Sequence, residues 1–194
     1  MKNVAVGILV ALVVVIVAFS FSLAAVYRGL ALKQGEVEQA WAALSEVYRS
    51  QLELLPSLLE RAAGVVVSEG EAYEAVKAAS RQMADVLSQQ VIEEPWRFDR
   101  FVASEAALGS SVLRLLAVVE QHSELQGDQN LAALRTQLKS DSDRVTVERS
   151  RYNAAASEFN SGLKAFPADW VARFYRFREK EYFRNPAGTG RPAA

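Results

Sequence analysis

Histidine and cysteine, two residue types that often serve in catalysis and in transition-metal binding, are scarce in this 194-residue chain. The chain holds one histidine, His122, and no cysteine, which excludes disulfides, thiolate chemistry and cysteine-based zinc sites. A Ser-His-Asp hydrolase would need an activated serine beside the histidine, and no G-x-S-x-G stretch precedes it. A di-iron site would need Glu-x-x-His motifs from two helices, yet Val119 stands three residues before this histidine. We therefore predict no enzyme activity, no metal and no cofactor, and expect His122 to bond the last carbonyls of a helix.

Four charged residues, Asp141, Arg144, Glu148 and Arg149, lie midway along a predicted long helix. One interpretation is a polar layer that binds an ion or responds to pH. The other is a salt-bridge cluster that fixes the register of neighbouring helices. We favour the salt-bridge cluster.

The dipeptides Tyr152-Asn153 and Phe159-Asn160 follow each other at a spacing of seven residues. Seven residues are close to two helical turns, so the two pairs fall on the same side of a helix. We predict that the aromatic rings point inward and that the asparagines hydrogen-bond to a neighbouring helix.

A helix over residues 131–166 must position these groups. Its expected inner stripe, at spacings of three and four, is Leu131, Leu134, Leu138, Asp141, Val145, Glu148, Tyr152, Ala155, Phe159, Gly162 and Phe166. Segments 37–66, 71–91 and 98–122 show the same spacing of apolar residues. We therefore predict an all-α fold in which an antiparallel up-and-down four-helix bundle with long, coiled-coil helices spans residues 30–184. Residues 185–194 are expected to be a disordered tail.

Pro56 lies inside the first of these helices, within residues 54–59. A proline there removes a backbone donor and crowds the preceding turn, so we expect a bend in one helix. The bend could open a groove for a partner, or it could let the helix wrap around the bundle. We favour the second role, since bends usually have packing causes.

Residues 4–26 carry no charge, and their only polar side chains are Ser20 and Ser22. As a helix the segment reaches about 35 Å, enough for a hydrocarbon core of roughly 30 Å. A cleaved signal peptide is the alternative, although its apolar region would usually be shorter. We predict a single transmembrane anchor over residues 1–29 in the cell membrane. Flanking charges nearly balance, and we lean towards the bundle on the extracytoplasmic side.

Residues 173–184 mix aromatic and basic side chains. They could lie on anionic lipid headgroups. Alternatively, Phe174, Phe177 and Phe183 dock on the end of the bundle while the arginine stems run along its surface. We favour docking.

Several short motifs occur in order along the chain: Ala40-Trp41, Leu54-Leu55-Pro56-Ser57-Leu58-Leu59, Glu120 before Glu124-Leu125, Arg149 before Tyr152-Asn153, Phe159-Asn160, Phe166-Pro167 and Tyr182-Phe183. Together they resemble the signature of the LemA family. The chain departs from the family pattern at Ser50-Gln51, Glu53, Ser57, His122-Ser123 and Ser142, as in a divergent member. The resemblance implies one N-terminal membrane helix followed by an up-and-down helical bundle. It carries no established activity.

We predict a membrane-anchored helical-bundle scaffold or interaction protein that organises membrane or membrane protein complexes. The alternative is an adaptor or regulator of a membrane protease or quality-control complex. Expected partners are the lipid bilayer and either a membrane protein or a second copy, with no small-molecule substrate. Lys and Arg total 22 against 23 acidic residues, so we expect no nucleic acid partner. Candidate interaction or motif positions are Trp41, Pro56, Arg149, Tyr152, Asn153, Asn160 and Arg176.

Overall fold

The computed structural model describes residues 2–63, 70–122 and 127–184. The regular secondary structure in these ranges is helical, with no strand. The helices are α1 (Lys2–Ala63), α2 (Gly70–Val86), α3 (Pro95–Gln121), α4 (Gln129–Lys164) and α5 (Ala168–Tyr175), with a 3-10 helix (Gln89–Ile92) between α2 and α3. The all-helical prediction is confirmed. The proposed tail, residues 185–194, lies outside the described residues.

Helix α1 runs without a break from the apolar N-terminal segment into the core. Its 62 residues correspond to a length of about 93 Å. Residues 11–22 are exposed, whereas Leu30 is the first fully buried position and Leu23 and Val26 pack partly against the core. Pro56 is exposed and α1 continues through it. The apolar N-terminal segment and the first core helix are therefore one element.

Two of the described helices are long and apolar enough to cross a membrane. In α1 the most apolar stretch has no buried residue, whereas the corresponding stretch of α3 is partly buried. The apolar character of α3 is accounted for by its contribution to the core, through Phe98, Phe101, Leu115 and Val119. The N-terminal part of α1 is the apolar helix that the core leaves uncovered.

Helices α1 and α4 pack against each other over much of their lengths, in opposite directions. The Lys33 ammonium donates to the Glu158 carbonyl at 3.3 Å, and further along Arg61 pairs with Asp128 at 2.9 Å. Asp128 is also the N-cap of α4, accepting from the backbone of Asn130 and Leu131.

The expected inner stripe of α4 needs one correction. The helix ends at Lys164, and Ala165 is extended, so Phe166 lies beyond the helix and is exposed. Near this end the buried positions are instead Ala156, Asn160 and Leu163.

Helices α2 and α3 form a second antiparallel pair, with Gln82 donating to Ser104 at 3.2 Å and Arg114 paired with Glu71 at 3.1 Å. The prediction that α2 extends to Val91 is wrong. Ser88 is extended and its carbonyl accepts a bond from the Trp41 indole at 3.2 Å. The 3-10 helix that follows turns Val91 and Ile92 into the core.

Helix α5 ends at Tyr175, and the next residue, Arg176, adopts a left-handed conformation (φ 60°). This turn redirects the chain into the C-terminal strap, residues 177–184, which has no regular secondary structure. Phe183 of the strap is buried and Phe177 is half-buried, as predicted. Phe174 is 79% exposed, so the prediction that it docks on the core is wrong, because it lies on the outer face of α5.

Candidate functional site

Two asparagines of α4, Asn153 and Asn160, hold the C-terminal strap; we call them the asparagine clamp. The Asn160 side chain donates to the Lys180 carbonyl and accepts from the Lys180 backbone N–H, both at 2.8 Å. Asn153 bonds Phe183 in the same way, both at 2.9 Å. Each asparagine side chain therefore bonds both the backbone N–H and the C=O of one strap residue, as a neighbouring β-strand would.

The clamp forms because the distance between the two asparagines along the helix matches the distance between two residues of the strap along the extended chain. Seven residues of helix rise about 10.5 Å, and three residues of extended chain rise about 10 Å. Asn153 and Asn160 are seven apart, while Lys180 and Phe183 are three apart. The sequence prediction identified the bonding side chains but gave the wrong partner, which is an extended segment and not a helix.

Arg149 connects four parts of the structure. Its guanidinium pairs with Glu105 of α3 at 2.7 Å and donates to the Tyr48 hydroxyl of α1 at 2.7 and 3.0 Å. It also lies over the Phe183 ring, 4.8 Å from the centroid. Burial opposes the charge of Arg149, but Tyr48 and Glu105 outweigh that effect and the pKa of the guanidinium is raised. Arg149 thus ties the strap to three helices.

The four charged residues singled out midway along α4 do not form one cluster. Asp141, fully buried, accepts bonds from Ser50 at 3.1 Å and Gln137 at 3.2 Å and lies 3.6 Å from Arg144. Glu148 pairs with Arg151 at 2.8 Å. The Ser50–Asp141 bond and the separate Arg149 site link helices, whereas the Gln137, Arg144 and Arg151 contacts lie within α4. Among the described residues no group of acidic and histidine side chains could hold a metal ion.

Trp41 and Tyr152 have no exposed surface, so they act through packing. The Trp41 ring meets Phe101 and Tyr152 edge-on, at centroid distances of 5.0 and 6.1 Å. Burial raises the pKa of Tyr152, whose hydroxyl has no hydrogen-bond partner among the described residues. His122 caps α3, with Nδ1 3.0 Å from the Val118 carbonyl oxygen. Pro56 and Arg176 are exposed.

A groove that the sequence analysis missed opens between α3 and α4, with α1 as its floor; we call it the α3–α4 groove. Its volume is about 350 Å³. Its apolar lining is Leu55, Leu108, Val112, Leu113, Leu116 and Leu138. Arg135 and Lys139 stand on the α4 side, and the buried Nε of Arg135 has no hydrogen-bond partner. The sequence feature that could have indicated the groove is the apolar face of α3. This face is wider than the stripe that a helix needs for packing against a core alone.

The chemistry of this groove is that of a binding surface. Its floor offers apolar contact area. Its α4 edge carries the positive charges of Arg135 and Lys139, of which Arg135 forms an ion pair with Glu120 at 3.4 Å. Leu113, on the α3 edge, is 70% exposed. Such a surface suits a segment with an apolar face and acidic residues along one side.

Comparison with known proteins agrees with the motif pattern. The LemA family model matches residues 40–193, most of the chain. The magnetosome proteins MamQ 2 and MamQ 1 of Paramagnetospirillum magneticum are each 34% identical over 88 residues, 45% of this chain and 32% of the relative. Magnetosome protein MamQ of Magnetospirillum gryphiswaldense is 31% identical over 88 residues, with the same coverage. The chain thus spans about a third of the length of the curated relatives it matches.

Several of the residues that carry the family motif build the clamp and the core around it. Arg149, Tyr152, Asn153, Phe159 and Asn160 all lie on the inner side of α4 or bind the strap. Motif order, the match to residues 40–193 and this shared structural role agree, and the chain belongs to the LemA family.

Proposed function

We propose that this protein is a single-pass, membrane-anchored scaffold whose helices form a bundle that presents the α3–α4 groove to a membrane protein. The observation that carries the proposal is the continuity of α1, an uncovered apolar segment that becomes a core helix without a break. A rigid connection of this kind keeps the domain close to the bilayer. The magnetosome names of the MamQ relatives are consistent with a membrane role.

The proposed occupant of the groove is an amphipathic helix of a membrane protein partner, with acidic residues on one side. Charge complementarity supports this choice, because the Lys139 side chain has no ion-pair partner among the described residues and Arg135 keeps an unpaired buried donor. Apolar residues along the floor supply the area that helix-in-groove recognition uses.

The test is photocrosslinking in intact cells from a probe at Leu113. Val147 is the matched control, since it is an exposed apolar position (52%) on α4 that does not line the groove. We expect one dominant adduct with a membrane protein from Leu113, little from Val147, and loss of the Leu113 adduct in Lys139→Glu. Equal adducts from both positions, or no effect of Lys139→Glu, would contradict the groove as the docking site.

The identity of the adduct separates the alternatives. A membrane protease or quality-control subunit would favour the adaptor role. Adducts formed only with a second copy of the chain would replace the heterologous partner with self-association.

We also propose that the helical domain lies on the extracytoplasmic side. The chain has no cysteine, so a single Ser150→Cys variant, at an exposed position of α4 outside the groove, gives an unambiguous signal with a membrane-impermeant maleimide. Labelling in intact cells is expected to equal labelling after permeabilisation. Labelling only after permeabilisation would place the domain in the cytoplasm.

A further inference from the structure

We infer that α5 is a membrane-surface helix whose outer aromatic face sits in the headgroup region of the bilayer that α1 crosses. This inference rests on the membrane anchoring proposed above. It adds a second, independent contact between the domain and the lipid.

The outer face of α5 is aromatic where a surface helix would normally be polar. Phe166, just before the helix, Trp170 and Phe174 are spaced by four residues and are all largely exposed. The rings of Phe166 and Trp170 meet edge-on at 6.2 Å. The opposite face, with Ala168, Val171 and Ala172, is buried. Contiguous exposed aromatic surface of this kind marks a contact site.

The position of α5 along α1 identifies what covers this face. Tyr27 directly follows the apolar segment, and its ring lies 4.5 Å from that of Tyr175 and 5.8 Å from that of Phe177. The end of α5 is therefore level with the end of the membrane segment. Tryptophan and tyrosine concentrate at this depth of a bilayer.

The depth of insertion also fits. Leu23, inside the apolar segment, packs partly against the core, and it lies four residues, or about 6 Å, before Tyr27. Interfacial helices bury their apolar face roughly 5–10 Å into the boundary between headgroups and acyl chains. The domain thus overlaps the outermost part of the bilayer, and α5 is its lowest element.

The charges around α5 favour anionic lipid. Arg28, Arg173 and Arg176 are exposed and have no ion-pair partner among the described residues. Their side chains are long enough to reach phosphates while their stems cover apolar surface. By contrast, Arg178 in the strap is already paired with Glu94 at 3.0 Å. Three arginines that form no ion pair with the described residues therefore lie next to the proposed membrane contact.

The test uses the full chain in vesicles of phosphatidylcholine and phosphatidylglycerol, with bromine atoms placed near the glycerol end of the acyl chains. Trp96→Phe leaves Trp170 as the one exposed tryptophan, since Trp41 is buried. Trp170→Phe leaves Trp96 as a matched control, because the two are similarly exposed at 61% and 53%. Trp96 lies far from α5. It is two residues from Phe98, whose ring contacts Tyr152 of α4. Tyr152 in turn is twelve residues, or about 18 Å, from the end of α4 that leads into α5.

We expect brominated lipid to quench most of the Trp170 emission and to leave Trp96 emission nearly unchanged. Replacing phosphatidylglycerol with phosphatidylcholine should weaken the quenching of Trp170. Unquenched Trp170 in protein that floats with the vesicles would overturn the inference about α5 alone, and a blue-shifted but unquenched Trp170 would indicate a protein partner on this face. Protein that fails to float would overturn the membrane anchoring as well.

Discussion

The C-terminal strap and α5 are neighbours in the chain, and each has three aromatic residues among eight, yet their aromatic side chains end in opposite environments. Phe183 of the strap is 6% exposed and Phe174 of α5 is 79% exposed. The strap finds backbone partners in the asparagine clamp and a cation in Arg149. The outer face of α5 has no such partners within the described part of the chain. Aromatic content alone therefore does not decide whether such a segment docks on its own domain, whereas hydrogen-bond and cation partners do.

The first way to break this comparison is to delete the same ring from each region. Phe183→Ala should lower the free energy of unfolding by about 3–5 kcal/mol, since it removes a buried phenyl ring from a packed aromatic cluster. Phe174→Ala should change it by no more than about 0.5 kcal/mol. Urea denaturation of both variants in the same detergent, followed by circular dichroism, measures the difference. Equal losses would mean that the two regions are not distinct.

The second way is to remove the clamp itself. Asn160→Leu keeps the side-chain size but leaves the buried N–H and C=O of Lys180 unpaired, so we expect a loss of about 3 kcal/mol. Hydrogen exchange of the Lys180 amide should accelerate strongly. Asn153→Leu is the matched control and should expose the Phe183 amide first. Unchanged exchange at both amides would show that packing alone holds the strap.

The third prediction concerns the tyrosines beneath the strap. Burial is the main cause of the raised pKa of Tyr48 and Tyr152. Above about pH 10, the ordinary tyrosine pKa, the unfolded chain releases these protons while the folded chain keeps them, so stability falls as pH rises. The slope should approach about 1.4 kcal/mol per pH unit for each tyrosine.

Melting temperatures between pH 8 and pH 11 measure this dependence on pH, because the range includes the ordinary tyrosine pKa of about 10. The double variant Tyr48→Phe, Tyr152→Phe should flatten the profile, and an equally steep profile in that variant would rule out these two residues. Tyr152→Phe alone should be neutral or stabilising at pH 7, because it removes a buried hydroxyl without a partner.

A small effect is expected at Lys180, whose backbone is held by the clamp. Burial lowers the pKa of its side chain, partly offset by Glu93 and Glu38, so the charged form gains little from the folded state. Lys180→Met should shift the free energy of unfolding by less than about 1 kcal/mol, with the sign towards stabilisation. A large loss would indicate that the ammonium group, and not the backbone, fixes this part of the strap.

Periodicity was enough to predict the helical class, the core face of α1 and the inward positions of Tyr152 and Phe159, because burial on a helix repeats every three to four residues. It could not predict the strap. Of its residues, Lys180 and Phe183 are buried three positions apart. A helix also buries residues at that spacing, so the pattern does not reveal an extended segment. The exposed face of α5 has the spacing of an ordinary core stripe, so spacing alone could not reveal which side faces outward.

The end of α2 shows a second kind of limit. The pattern of residues 71–91 is compatible with one helix. In the structure, however, the Ser88 carbonyl accepts a hydrogen bond from the Trp41 indole, and Val91 and Ile92 are buried in the core. Tertiary contacts decided where the helix stopped. The α3–α4 groove was missed for the related reason that a stripe of apolar residues does not reveal whether a neighbour covers it.

The unbroken course of α1 has a mechanical consequence. From Tyr27 to Arg61 the helix extends about 51 Å. In the membrane-anchored arrangement proposed above, this part of α1 and the helices packed on it form the long arm of a lever whose short arm is the apolar segment. A change of about 10° in the tilt of the membrane segment, well within the spread seen for such helices, would sweep the Arg61 end sideways by about 9 Å. Local bilayer thickness is thereby converted into the lateral position of the far end of the domain.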